Sequence, residues 1–142
     1  DALFIRRNHL YPKLIINEAD AYTTDTMHRV NIKKDVNLDA LAGSYYNSLS
    51  FAFAEISGRS HGGGVLELMP SEVENIMLPY HESNKNLVAT IDKMIRANES
   101  IDKILEITNK KILIENYGFT EKEVQIADRI WKKLSNRRLN RN

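Results

Sequence analysis

Cysteine is absent from the 142 residues. That excludes a disulfide framework and any thiolate metal site, and it fits a reducing compartment. Long hydrophobic runs are missing too: the longest, at residues 50–54 and 111–114, are far too short to cross a bilayer. No signal-peptide pattern opens the chain. It begins at Asp1, an opening expected of a piece cut from a larger protein, and the expected location is cytoplasmic, with no membrane partner. Proline is scarce, and its three copies stand alone. An excess of one charge is lacking as well. Twenty Lys and Arg against 19 Asp and Glu leave a net charge of +1, so the total does not select a polyanionic partner.

Catalytic signatures are equally scarce. There is no phosphate loop of the G-x-x-x-x-G-K-[ST] type, no G-x-G-x-x-G opening a helix, and no H-E-x-x-H. His9, His28, His61 and His81 are scattered without metal-ligand spacing. Glu72 and Glu74 stand two apart, so on a helix they diverge and make no acid–base pair. Ser57, Ser60 and His61 lack an orienting carboxylate. The residues show no catalytic machinery.

What is present is a globular composition, 42% hydrophobic and 27% charged, sufficient for a buried core in one domain. Four of the six glycines lie between Gly58 and Gly64 and surround Arg59-Ser60-His61. Glycine reaches backbone conformations closed to other residues and lets the chain approach a second molecule closely. Before this loop the sequence is β-rich, and after it helical. Residues 11–17 and 26–33 read as strands, the second with His28, Val30 and Ile32 on its apolar side and Arg29 and Lys33 outward. Helical spacing marks residues 38–42 and 45–56, with Gly43 as the expected break. Residues 65–69 read as a strand, 70–74 as a short helix capped by Ser71, and 76–80 as a last strand.

From residue 84 to 114 one apolar stripe, including Leu87, Ile91, Ile101, Ile104 and Ile112, predicts about seven helical turns packed on a second helix. Asn98 sits in the seam as a local weak point. Tyr117-Gly118-Phe119 stops the first helix, and Thr120 with Glu123 forms a capping box for the second, which carries Val124, Ala127, Ile130, Trp131 and Leu134. Residues 136–142 read as a frayed basic tail. The expected fold is therefore α+β. A small, mainly antiparallel sheet with one or two helices occupies residues 1–80, and a helical hairpin occupies 81–142, the two forming one compact unit.

Charge distribution says more than its total. Arg6, Arg7, Lys13, Arg29, Lys33 and Lys34 are concentrated in the first 34 residues. Exposed arginines and lysines suit phosphates, and an arginine on a flexible loop suits a guanine edge. Arg59 and His61, presented with Ser60, Gly62 and Gly63, are the candidate base readers. Arg6, Arg7, Lys13, Arg29, Lys33 and Lys34 are the candidate phosphate contacts. Two plainer readings stand beside this one: a tight glycine turn with no ligand, and an Arg59–Glu55 ion pair across one helical turn.

One resemblance sharpens these expectations. Phe4-Ile5-Arg6-Arg7, residues 12–17 and 24–30, and above all residues 48–79 resemble the C-terminal part of bacterial adenine-specific DNA methyltransferases of restriction–modification systems. The most specific string is Ala54-Glu55-x-x-Gly58-Arg59-Ser60-x-Gly62-Gly63-Gly64-Val65-Leu66, followed by Pro70-Ser71-Glu72-x-Glu74 and Leu78-Pro79. The likeness covers about residues 4–80. It implies a target-recognition domain that reads duplex DNA, with S-adenosylmethionine and methyl transfer belonging to a separate N-terminal catalytic domain. The family's Asn/Asp-Pro-Pro-Tyr/Phe tetrapeptide is missing here, so this piece is expected to hold no cofactor and to methylate nothing alone. Two alternatives accompany that expectation. One is a piece of a type I specificity subunit, with the long helix as spacer. The other is a helical protein-interaction module without a nucleic-acid role, in which the helical hairpin is the contact surface. A homodimer through the helical region is a further expected partner, and a helix-mediated dimer would favour the spacer.

Overall fold

The computed structural model describes residues 1–141; Asn142 lies outside the described residues. The first strand, β1 (Ala2–Ile5), is the centre of a three-stranded sheet between β3 (Leu14–Ile16) and β4 (Met27–Val30), antiparallel to both. Leu3 lies opposite Ile15 and Arg29, and Phe4 opposite Leu14 and His28. Residues directly opposite share a face. Ala2, Phe4 and Leu14 therefore enter the core with Val30 packed against them, while Ile15 and Arg29 look outward. Because β3 and β4 flank the same strand in the same direction, the connection 17–26 must pass over the sheet. It covers Leu3, is closed by Asn17, which both accepts from and donates to the backbone of Ala21, and leaves Tyr22 95% exposed.

The chain bends at Arg6 and enters a second three-stranded antiparallel sheet. Here β6 (Val65–Glu67) lies between β2 (Arg7–Asn8) and β5 (Arg59–His61). The backbone of Arg6 joins the two sheets, donating to the Thr26 carbonyl at 3.1 Å and accepting from Leu68 at 2.9 Å. His28 Nε2 reaches the Leu68 carbonyl at 2.6 Å and reinforces the same junction.

Two asparagines shape the helices behind the sheets. Asn37 caps α1 (Leu38–Tyr45) by accepting from Ala40, and Asn47 caps α2 (Ser48–Ser57) by accepting from Ser50. The break between these helices falls at Tyr46–Asn47 and not at Gly43, because the Asn47 cap starts a new helix there. Gly43 serves another purpose: a Cβ at that position would stand 2.0 Å from the Asn84 carbonyl oxygen. Pro70 opens the short α3 (Pro70–Val73), so Ser71 lies inside the helix, and Glu72 instead of Glu74 accepts from the Met69 amide at 2.7 Å. Residues 76–80 form no strand; their backbone serves side chains, the Met77 carbonyl accepting from Ser50 Oγ at 2.7 Å.

The expected seven-turn helix is divided. α4 (Leu87–Arg96) ends where Asn98 takes φ 57°, and Ser100 caps a new helix, α5 (Ile101–Asn109), by accepting from Lys103. A π-helical segment, Lys110–Glu115, continues α5 to the turn at Gly118. The Thr120–Glu123 capping box then starts α6 (Glu121–Leu139) as expected. α6 packs chiefly on α2, with the Trp131 and Phe51 rings 5.2 Å apart, and α4 packs on α1. Burying a ring such as that of Phe51 stabilises by roughly 2 kcal/mol. The expected frayed tail is corrected: α6 runs to Leu139, and Arg138 is only 4% exposed. The buried carboxylate of Glu55, paired with Arg138, holds the last turn in place. The fold is α+β, with two small antiparallel sheets where one was expected.

Candidate nucleic-acid interface

The glycine loop is the turn of the β5–β6 hairpin. Its register pairs Arg59 with Glu67, Ser60 with Leu66 and His61 with Val65; on the far side of β6, Arg7 also faces Glu67 and Asn8 faces Leu66. Arg7, Glu67, Arg59 and His61 therefore share one face, while Leu66 and Asn8 are buried behind it. The exposed face carries Arg7 with 56%, Arg59 with 60% and His61 with 55% of the side chain open to solvent.

Glu67 is the pivot of this face. Its Oε1 accepts from Arg6 at 3.0 Å and from Arg7 Nε at 3.3 Å, and Oε2 lies 3.4 Å from His61 Nδ1. Loss of hydration pushes the carboxyl pKa up, but the hydrogen bonds and charges of Arg7 and Arg6 outweigh it and hold the group below the usual carboxylate value. Arg59 instead pairs with Glu72 Oε1, whose carboxyl is held low first by that hydrogen bond and then by the Met69 amide. Two carboxylates thus orient three arginines without neutralising the face. Arg7 binds Glu67 through Nε, leaving its terminal amino groups without a protein acceptor among the described residues. A guanidinium so held presents a donor edge to a phosphate or a base.

The turn itself is a single 3₁₀ turn, Gly62–Gly64, in which Gly63 and Gly64 both take φ 76°. A side chain is disfavoured in that left-handed conformation. Nothing lies within 4 Å of a Cβ added at Gly62 or Gly63, so both face open space.

The structure brings together Arg6, Arg7, Arg59 and His61 of the sequence candidates. Ser60 is exposed on the edge strand, with its register partner Leu66 in the core. The remaining candidates lie apart. Lys13 precedes β3, with its ammonium 5.4 Å from the centre of the Tyr11 ring; Arg29 is on the outer face of the first sheet; Lys33 and Lys34 occupy the exposed connection after β4. No side-chain ion pair joins these four to the arginine cluster among the described residues. The Arg59–Glu55 alternative is corrected, since Glu55 is taken by Arg138 at 2.7 Å and Arg59 by Glu72. Sequence reasoning passed over Glu67, left Arg138 in a frayed tail, and read Glu55 and Glu72 without the cations they hold here. Counting outward from Gly63 would have found Glu67, because a hairpin centred there sets residue 67 against 59.

The family model for the C-terminal domain of the type II methyltransferase M.Eco57I matches residues 1–113, which include every residue of the exposed arginine face. No curated protein and no solved structure matches the chain. On the extent of that match, the chain belongs to the family of type II methyltransferase C-terminal domains represented by M.Eco57I.

Proposed function

We propose that this domain reads the target DNA sequence for an adenine-specific methyltransferase of a restriction–modification system. The observation that carries the reading is the shared, exposed face of Arg7, Arg59 and His61, presented by a hairpin whose turn has no side chains. Backbone close to phosphate, with two oriented guanidinium groups beside it, suits a duplex groove better than a small-molecule pocket. Lys13, Arg29, Lys33 and Lys34 extend the basic surface as secondary phosphate contacts. The parent enzyme, working on DNA in the cytoplasm, would transfer a methyl group from S-adenosylmethionine to an adenine flipped from the duplex. The glycine cluster here joins two antiparallel strands instead of a strand to a helix, so it does not fit S-adenosylmethionine, which is assigned to the catalytic part of the parent. The type II family match favours this reading over a type I specificity subunit.

Binding of the parent protein to random and selected duplexes at two salt concentrations tests the proposal. Affinity should fall with salt by a log–log slope of about −0.9 for each phosphate engaged, and Arg7→Ala should flatten that slope by about one contact. Arg59→Ala should relax preference at one base position by roughly 1–3 kcal/mol. Salt-independent binding, or a preference untouched by Arg59→Ala, would reject the assignment. A second reading, contact with a protein or a second copy, is favoured by one observation: Ile107 on α5 and Ile126 and Ile130 on α6 are each more than 40% exposed. Sedimentation of Ile126→Glu against the unaltered chain tests it, with a dimer lost in the variant as the supporting result.

A further inference from the structure

The Arg138 guanidinium makes four hydrogen bonds. It forks onto Glu55, with Nη2 to Oε1 at 2.7 Å and Nε to Oε2 at 3.1 Å, and both side chains are 3% exposed. Its remaining amino group, Nη1, donates to the His9 carbonyl at 2.6 Å and to the Gly64 carbonyl. One guanidinium thus ties α2, the segment after β2, the last glycine of the turn and the final turn of α6. Gly64 is packed against the same place: a Cβ there would stand 3.3 Å from Leu139 Cα and 3.5 Å from the Arg138 carbonyl oxygen. The turn therefore has a fixed rear at Gly64 and a free front at Gly62 and Gly63.

A buried ion pair is an inefficient stabiliser, because losing hydration offsets most of the attraction and an apolar pair of similar volume often serves as well. What an apolar pair lacks is a pair of directed donors for the His9 and Gly64 carbonyls. We infer that Arg138 is a positioning residue of the recognition turn: α6, which lies beyond the 113 matched residues, sets the angle at which Arg59 and His61 are presented. The inference rests on the DNA-reading proposal. It also goes beyond it, by assigning a specificity-determining role to a residue that touches no DNA.

The test replaces the pair in the full chain with Glu55→Leu/Arg138→Met, which leaves the net charge unchanged, and adds Arg138→Lys, which keeps the charge without the fork. Amide exchange without DNA should speed up by about tenfold or more across residues 61–65 in the double variant, with the interiors of α2 and α6 still protected. Preference for duplexes selected by the unaltered protein, over random duplexes, should fall by about tenfold, with random-duplex affinity and its salt slope retained. Arg138→Lys should fall between, and it supplies both readouts if the double variant does not fold. Unchanged exchange in the turn would overturn the inference, as would a loosened turn with unchanged preference. Absence of any preference in the unaltered protein would instead reject the DNA-reading proposal, and because exchange is measured without DNA the two failures are distinguishable.

Discussion

Replacing Gly43 with alanine sets two effects against each other. Within a helix, alanine is favoured over glycine by roughly 1 kcal/mol. Here the new methyl group would stand 2.0 Å from the Asn84 carbonyl oxygen and 2.9 Å from its carbon, about 1.4 Å short of the 3.4 Å at which ordinary contact begins. The obstacle is backbone, and it is pinned. Asn84 is fully buried, donates Nδ2 to Ser44 Oγ at 2.9 Å and accepts from Asn116 at 2.7 Å. Moving it aside breaks or stretches those bonds, each worth about 1 kcal/mol, on top of an overpacking penalty of about 1–3 kcal/mol. The repulsive side wins. Gly43→Ala should destabilise by about 3 kcal/mol net, a fall in Tm of roughly 10 °C for a chain of this size. Thermal and urea unfolding followed by circular dichroism measure it, with Gly62→Ala, where the added methyl meets nothing within 4 Å, as the control expected to shift stability by less than about 0.5 kcal/mol. A Gly43→Ala variant as stable as the unaltered chain would refute the close-approach argument.

Glu67→Gln should alter the acid limb of stability. Because its carboxyl pKa is lowered from 4.5 on folding, Glu67 contributes stability that is fully present above about 4.5 and lost as pH falls through the folded value. Urea midpoints should therefore depend less steeply on pH below 4.5 in the variant, and identical slopes would discount the Arg6 and Arg7 pairing. At Asn98, held at φ 57° between α4 and α5, glycine should stabilise by roughly 0.5 kcal/mol and alanine destabilise by about 1 kcal/mol, since an unbranched Cβ still opposes the left-handed conformation. The same unfolding measurements rank the pair, and a reversed order would count against the helix break.

Legibility followed the range of the interactions. Caps formed within four residues were plain: the Thr120–Glu123 box starts α6 where the sequence placed it, and Gly118 ends the preceding segment. The helical spacing read over residues 38–42 and 45–56 also located the region of α1 and α2, though not the point where one helix gives way to the next. What local pattern could not supply was the partner of each charge. Arg59 and Glu55 are well spaced for a helical pair, yet the helix ends at Ser57 and Arg59 leaves on a strand, so the nearer carboxylate becomes Glu72. Gly43 read as a breaker because glycine is poor in isolated helices; a carbonyl from residue 84 had no local signature. Division of the strands into two sheets depended likewise on the bend at Arg6, which is set by Thr26 and Leu68.

The long reach of the Arg138 bonds bears on the order in which the molecule assembles. Glu55 lies 83 residues before Arg138, and His9 lies 129 before it. Chains emerge from the ribosome N-terminus first, and contacts between distant residues form late. Both sheets and α2 are therefore synthesised well before the guanidinium that locks the glycine turn. During that interval Glu55 has no cation and the turn has no rear support. The rear support of the turn therefore arrives only with α6, and a chain that stopped before Arg138 would carry the exposed arginines of the hairpin on a turn without these guanidinium bonds.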